Sequence, residues 1–146
     1  MNTDRTRFEG KHSSLTSVIL RAYYDVYSEL GSGFLESVYH AAMESALRDA
    51  GLTVASQVQM PVYFRGKAIS EFKADLVVER SVLVELKATA SLDRSHHAQV
   101  LNYLKATQLE VALLLNFGAK PEFKRFLLDN EQKKIRVHPC ESVVSF

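Results

Sequence analysis

The chain lacks most of the features that would narrow its function at once. It is 146 residues long and has one cysteine, Cys140, so an internal disulfide and a cysteine zinc cluster are both excluded. It has no recognisable signal peptide and no apolar run that approaches the length of a membrane span. From these absences we expect a cytoplasmic protein that has no membrane partner.

An excess of charge of either sign is missing as well. Lys and Arg number 18 against 17 Asp and Glu, which leaves a net charge of +1. Such a balance does not indicate a nucleic-acid-binding protein, so any basic surface that binds phosphates must be local. One stretch near the C-terminus could be such a phosphate-binding surface, although charged edge strands also deter aggregation. Its basic residues are Lys120, Lys124, Arg125, Lys133, Lys134 and Arg136.

What the chain does have is enough apolar sequence for one domain with a core. Hydrophobic residues make up 47% and charged residues 24%, which is ordinary for a globular protein. We expect residues 1–12 to be a flexible N-terminus and residues 13–146 to form a single domain.

Apolar residues at helical spacing predict two helices after the N-terminal segment. The first begins near Ser13 or Ser14, either of which can cap it, and ends at the break Gly31-Ser32-Gly33. The second helix stops at Gly51.

Short apolar runs between turn residues predict the strands of a mixed sheet. The first strand continues through Met60-Pro61, where the proline requires a bulge or a sheet edge. The predicted order α-α-β-β-β-α-β-β, with helices flanking the sheet, gives a single α/β (α+β) domain. The elements after the first two helices are strands at 53–64, 68–79 and 82–88, a helix from Asp93 or Ser95 to about Ala106, a strand at 111–116, and an edge hairpin of Phe123–Leu128 with Ile135–Val137.

Three charged residues in the most apolar stretch are the strongest indication of function. Asp75, Glu85 and Lys87 lie among runs such as Leu76-Val77-Val78. Charges in buried strands are costly unless they are paired or bind a metal. A hairpin turn centred on Arg80 would place Asp75 directly opposite Glu85. Lys87, two residues further on, would share a face with Glu85, so two carboxylates and an ammonium group would converge.

This arrangement has two interpretations. Mg²⁺ takes oxygen ligands, often one or two carboxylates together with substrate phosphates, so the two acids can be metal ligands. Charged pairs across a hairpin are also common, so the same residues can form a cross-strand salt bridge on a half-exposed hairpin. The three residues alone do not decide between these interpretations.

The element order and these residues together resemble the PD-(D/E)XK nuclease superfamily, which has the restriction-endonuclease-like fold. Asp75 matches the first acid of the motif and Glu85-Leu86-Lys87 matches its E-x-K, while Ala74 stands where the motif often has proline. A more specific match is Gly33 to Tyr39, which reads G-x-x-E-x-x-Y, the signature of the bacterial GxxExxY family in that superfamily. The resemblance covers roughly residues 10–128 and continues through Phe72-Lys73-Ala74-Asp75-Leu76, Gln99-x-x-x-Tyr103 and Leu114-Leu115-Asn116-Phe117-Gly118.

The resemblance implies an active site as well as a fold. Asp75, Glu85 and the backbone carbonyl of Leu86 would bind Mg²⁺ or Mn²⁺. Glu36 would complete that metal site or support a second one. Lys87 would orient or deprotonate the attacking water, or neutralise charge on the phosphate.

The other matched residues also have ordinary structural roles open to them. Glu36 could simply stabilise the start of its helix, although it aligns with His40 at the margin of the apolar face. We expect His40 itself to be solvated. Tyr39 is expected either in the core, with a partner for its hydroxyl, or at the site as a substrate-positioning residue. Gln99 and Tyr103 share one helix face, where they either pack together or, as the resemblance implies, position DNA or the catalytic lysine.

The expected function is therefore divalent-metal-dependent hydrolysis of nucleic-acid phosphodiester bonds, with DNA a better candidate than RNA. The alternative is a catalytically silent nucleic-acid-binding or protein-interaction module that keeps the site as a structural relic. A chain this small covers little nucleic acid alone, so we also expect a homodimer or a partner. Mn²⁺ titration separates the two functions, because an intact site should bind the ion and Asp75→Ala should not.

Overall fold

The computed structural model describes residues 12–133, in which helices cover both faces of one five-stranded sheet. The elements follow the predicted order α-α-β-β-β-α-β-β, so the predicted α/β (α+β) architecture is confirmed. The predicted flexible segment 1–12, apart from His12, and the predicted strand Ile135–Val137 lie outside the described residues. The elements are α1 (Ser13–Leu30), α2 (Glu36–Asp49), β1 (Val54–Phe64), β2 (Lys67–Val78), β3 (Val82–Lys87), α3 (Arg94–Ala106), β4 (Val111–Phe117), β5 (Pro121–Leu127) and a 3₁₀ turn (Asn130–Gln132).

The sheet has its strands in sequence order, β1-β2-β3-β4-β5. β3 and β4 are parallel, with α3 as the crossover between them, and the other neighbouring strands are antiparallel. Every residue of β4 is buried, and so is every residue of β3 except Lys87. A parallel pair covered by helices on both faces explains why these strands are continuous apolar runs in the sequence.

Proline in β1 lies where a strand tolerates it. β1 is an edge strand, Pro61 is opposite Glu71, and the register shifts between Val62 and Tyr63. Because proline cannot donate a ladder hydrogen bond, an edge position is one of the two that its sequence context predicted.

Two hydrophobic clusters hold the helices to the sheet. α1 and α2 pack on one face and α3 packs on the other, and fully burying one such side chain contributes about 1.5–3 kcal/mol. The first cluster includes Tyr23, Tyr39, Met43, Leu76, Val84, Leu115 and Phe117, and the second includes Met60, Ala74, Leu83, Val100, Leu104 and Leu114. No helix in residues 12–133 is both long and apolar enough to span a bilayer.

The start of α1 differs from the prediction and the start of α3 agrees with it. Neither Ser13 nor Ser14 caps α1, because His12 occupies the cap position and makes no side-chain capping bond. A capping residue must precede the helix with a non-helical backbone, and both serines are already helical. Asp93 caps α3 in a reciprocal capping box with His96.

One member of the predicted basic surface is not on the surface at all. Lys133 is buried, and its Nζ donates to the carbonyls of Thr107 and Leu109 at 2.7 Å each. Its ammonium group is therefore not available to a phosphate, so the phosphate-binding interpretation of the basic stretch does not hold for Lys133. Lys134 and Arg136 lie outside the described residues.

A buried tyrosine ties α1 to the chain that leaves β3. The Tyr23 hydroxyl donates to the Asn116 carbonyl at 2.5 Å and accepts the Glu122 N–H at 3.0 Å. The Asn116 side chain in turn exchanges hydrogen bonds of 3.0 and 2.9 Å with the backbone of Thr89. Burial raises the pKa of Tyr23 to about 12, so its hydroxyl stays protonated and keeps donating at neutral pH.

Tyr23→Phe should lower the free energy of unfolding by about 1–3 kcal/mol, because it leaves a buried carbonyl and an N–H without this partner. Tyr24→Phe is the matched control, since Tyr24 is 45% exposed, and it should lose less than about 0.5 kcal/mol. Urea unfolding of both variants measures the difference. Equal losses would contradict the role assigned to Tyr23.

Candidate functional site

The two predicted acids lie opposite each other at the point where β2 and β3 separate. The backbone ladder ends at Leu76 opposite Val84, so its register sets Asp75 opposite Glu85, as the turn around Arg80 predicted. Beyond the ladder, each carboxylate accepts a hydrogen bond from a backbone N–H of the facing strand. The Asp75 N–H donates to Glu85 Oε1, and the Leu86 N–H donates to Asp75 Oδ2, both at 2.8 Å.

Glu85 is deeply buried and no neighbouring cation neutralises it. Its residue is 2% exposed. Desolvation first, and then the negative charge of Asp75, raise the pKa of Glu85 to about 8, an effect that Lys87 only partly opposes. Among the described residues, no ion pair or hydrogen bond joins Lys87 to either acid. The cross-strand salt bridge that the sequence left open is therefore not formed.

The regular alternation of faces along β2 is interrupted at Asp75. Ala74 packs in the cluster under α3, whereas Leu76 packs in the cluster under α1 and α2. Residues two apart in a regular strand share a face, so the alternation reverses at Asp75.

β1 shows the same reversal at the residue across from Asp75. Val54 packs with the α1–α2 cluster and Val58 with the α3 cluster, although a regular strand would give them one face. Between them Gln57 has a φ of 53°, in the left-handed region that non-glycine residues rarely adopt. The pairs on either side, Ser56 with Leu76 and Val58 with Ala74, place Gln57 opposite Asp75. These two residues are not themselves paired.

The twisted strands leave a cleft of about 300 Å³ that brings a distant acid close to Asp75. Glu36 is the first residue of α2 and is exposed, and it lines this cleft together with Asp75. Its alignment with His40 toward the inner margin of α2 is what the helical spacing predicted. The residues that line the cleft are Glu36, Ser37, His40, Gln57, Asp75 and Leu86.

Tyr39 fixes the loop from which α2 starts. It is fully buried, with its ring stacked on Phe117 at a centroid distance of 4.2 Å. Its hydroxyl donates to the Gly31 carbonyl at 2.6 Å and accepts the Phe34 N–H at 3.2 Å. Tyr39 is thus a core residue, as one of its two predicted roles required. Because it has no exposed atoms to offer a ligand, it can act on the site only through the loop that carries Glu36.

Gln99 and Tyr103 meet on α3, away from the cleft but near the acids. Gln99 Nε2 donates to the Tyr103 hydroxyl at 2.8 Å. Burial raises the pKa of Tyr103, and the charges of Glu85 and Asp75 raise it further, so the hydroxyl lies within electrostatic reach of both acids. The pair lines a second depression, of about 390 Å³, together with Phe72.

The oxygen donors fit a hard divalent cation, most of whose other ligands are supplied by water and substrate. Within residues 12–133, no three His, Cys, Asp or Glu side chains are grouped closely enough to hold an ion. The expected set of three acids, with Glu36 as the third, is therefore not assembled around one point. Mg²⁺ usually needs only one or two carboxylates besides waters and phosphates, and Asp75 and Glu85 supply that number. The raised pKa of Glu85 is the observation that suits a cation, because a bound ion would stabilise the charged form that burial and Asp75 disfavour.

Two residues at the cleft were missed or misjudged from the sequence. His40, expected to be solvated, is half-buried, and its Nε2 lies 2.7 Å from Ser56 Oγ. Its helical alignment with Glu36 was the signal that could have placed it at the cleft. Gln57 matched no motif. Its left-handed backbone could not be predicted from the residue type, because it depends on the pairing of β1 with β2.

The comparison with known families agrees with this geometry. A family model described as the PD-(D/E)XK nuclease superfamily matches residues 13–126. The chain belongs to the PD-(D/E)XK nuclease superfamily. The matched range includes Asp75 and Glu85-Leu86-Lys87, the residues in which the sequence resembles the motif of this superfamily.

A solved structure shares the fold of this PD-(D/E)XK protein. The crystal structure of SSO0001 superimposes with a TM-score of 0.51 and 19% sequence identity over 86% of this chain. The chain spans 62% of that solved chain. A search of curated proteins finds no match.

The raised pKa of Glu85 predicts how stability depends on pH in the absence of metal. The folded state keeps a proton that the unfolded state loses between pH 4.5 and about 8. The free energy of unfolding should therefore fall as pH rises through that window, by at most about 1.4 kcal/mol per pH unit. Urea unfolding in EDTA at a series of pH values measures the slope.

Glu85→Gln should remove this slope and be more stable than the wild type above pH 8, because its amide carries no charge at any pH. Glu71→Gln is the matched control, since Glu71 is exposed on β2 and should keep the wild-type slope. A wild-type slope that persists in Glu85→Gln would refute the assignment.

Proposed function

We propose that the chain is a divalent-metal-dependent nuclease that hydrolyses phosphodiester bonds, with DNA as its substrate. The single observation that carries the proposal is the pairing of the buried Glu85 with Asp75, which lines the cleft, where no described cation forms an ion pair with either acid. Such a pair is costly unless a proton or a cation joins it, and Mg²⁺ or Mn²⁺ is the cation that two carboxylates select. Membership in the superfamily supports phosphodiester hydrolysis as the reaction.

Each site residue has a role in this proposal. Asp75, Glu85 and the Leu86 carbonyl would hold the ion, and Glu36 would approach it across the cleft. A bound Mg²⁺ or Mn²⁺ would lower the pKa of a bound water, so that hydroxide forms and can attack the phosphorus. It would also stabilise negative charge on the phosphate. Lys87 would orient or deprotonate that water, or neutralise the phosphate.

The residues beside the acids would hold the substrate rather than react with it. Gln99 and Tyr103 line their own depression on the α3 side, so they would position the DNA strand as it passes the acids. The same proposal includes a cytoplasmic location. It also includes a homodimer, because a chain of 146 residues covers little DNA alone.

We further infer that the chain is a member of the GxxExxY family within the superfamily. Each motif residue has a structural reason to be there. Gly33 has a φ of 110°, which disfavours residues with a side chain, Glu36 lines the cleft, and Tyr39 anchors the loop between them. These contacts support the motif as one unit whose purpose is to deliver Glu36.

The proposal predicts Mn²⁺-dependent cleavage of a panel of labelled single- and double-stranded DNA and RNA. The wild type should cleave DNA, and Asp75→Ala and Lys87→Ala should lose at least about a hundredfold in rate. Lys105→Ala is the control, since Lys105 is exposed in the last turn of α3, at the end remote from β3's Lys87. Calorimetric Mn²⁺ binding without cleavage would support the silent-module alternative. Absence of both would contradict the proposed function.

Glu36→Ala separates a helix-start role from a role at the metal. Glu36 makes no capping hydrogen bond, so the variant should lose only about 0.3–1 kcal/mol of stability from the helix dipole. Mn²⁺ affinity or turnover should fall by about tenfold or more. Glu29→Ala, which removes an exposed acid of α1, should change neither. Unchanged affinity and turnover in Glu36→Ala would leave Asp75, Glu85 and Lys87 as the whole site.

A further inference from the structure

No lysine or arginine lines the cleft that holds Glu36 and Asp75, within the part of the chain that is described. A phosphodiester that enters this cleft would meet two carboxylates and would need hydrogen-bond donors on the remaining wall. The side chains there that can donate are Ser37, His40 and Gln57. Ser37 and His40 lie on α2 with Glu36, and Gln57 lies on β1 next to Asp75, so each acid has a hydrogen-bond donor beside it in the cleft.

Gln57 has the most constrained position of the three. It lies in the interior of β1 with a φ of 53°, a conformation that a side chain makes unfavourable. The backbone ladder is interrupted at this residue, and the register counts it opposite Asp75. The strained backbone turns its side chain into the cleft, whereas a regular strand would direct it to one face of the sheet.

The His40 ring lies next to the carboxamide of Gln57. Gln57 Nε2 lies 3.5 Å from His40 Nδ1, and His40 Nε2 lies 2.7 Å from Ser56 Oγ. With Nδ1 as the acceptor, the ring proton is on Nε2 and points to Ser56, and Glu44 Oε1 lies 4.0 Å from the same nitrogen. This arrangement uses one N–H of Gln57. Among the described residues, its second N–H has no partner.

We propose that Gln57, positioned by His40, forms a phosphodiester-binding subsite in the cleft, on the strand next to Asp75. The free N–H of the carboxamide donates to a non-bridging phosphate oxygen. A neutral donor suits this place because it binds the phosphate without forming an ion pair with Asp75 or Glu36. The subsite rests on the proposed function, since it serves the same substrate.

Two glutamines of β1 provide a matched test. Both substitutions are made in a Lys87→Ala parent. Gln57→Gly removes the donor but relieves the strain of the left-handed backbone, so its melting temperature should equal or exceed that of the parent. Gln59→Gly removes an exposed amide two residues away, where glycine only adds flexibility, so its melting temperature should fall slightly. Gln57→Gly is thus expected to lose binding but not stability, and Gln59→Gly to lose stability but not binding.

Binding is measured by anisotropy of fluorescein-labelled single- and double-stranded DNA, with Mn²⁺, in a Lys87→Ala parent that prevents cleavage. Gln57→Gly should weaken binding by about tenfold, and Gln59→Gly by less than about twofold. His40→Ala should weaken binding too, but adding it to Gln57→Gly should cause no further loss, because the two residues act as one unit.

Equal affinity of Gln57→Gly and its parent would overturn the subsite and leave the nuclease proposal standing. If neither DNA binds the parent or the wild type, both proposals fail. If Gln57→Gly lowers the melting temperature, Gln57→Asn tests the subsite instead. Asparagine tolerates a positive φ, and its amide is on a side chain one methylene shorter. Weaker binding by Gln57→Asn at the parent's melting temperature supports the subsite, and parental binding refutes it.

Discussion

Two carboxylates share the space where β2 and β3 part, and each accepts a backbone N–H from the facing strand. These reciprocal bonds between Asp75 and the Glu85–Leu86 segment fix the acids beside each other, with Glu85 buried and Asp75 facing the cleft. Burial first, and then repulsion by the charge of Asp75, disfavour a charged Glu85, so its pKa rises to about 8. The fold therefore maintains a local instability that a divalent ion would relieve.

The rest of the structure keeps that pair in place. The Tyr23 network fixes the chain just after β3 through Asn116 and Thr89. Gly118 leaves room for this contact, since a Cβ there would lie 2.2 Å from the Thr89 carbonyl oxygen. On the other side, Tyr39 anchors the loop that starts α2 and so delivers Glu36 to the cleft. Rigid supports on both sides are what a preorganised site requires.

Local rules in the sequence were enough to predict the features that depend on spacing. Counting from Arg80 set Asp75 opposite Glu85, and helical periodicity turned Glu36 inward, because register and helix phase are local properties. Features that depend on distant partners were not predictable. Lys133 is buried because carbonyls at 107 and 109 receive its ammonium, and Gln57 enters the cleft because two strands twist together. Neither partner can be identified from the residue's own neighbours.

The account depends on one coupling, between the charge of Glu85 and a divalent ion. A ¹³C NMR titration of the Glu85 side-chain carboxyl, with and without Mg²⁺, measures that coupling directly. The account predicts a pKa of about 8 in EDTA, and a value well below its ordinary range when Mg²⁺ saturates the protein. A carboxyl that titrates at its ordinary pKa without metal, or that ignores saturating Mg²⁺, would contradict it.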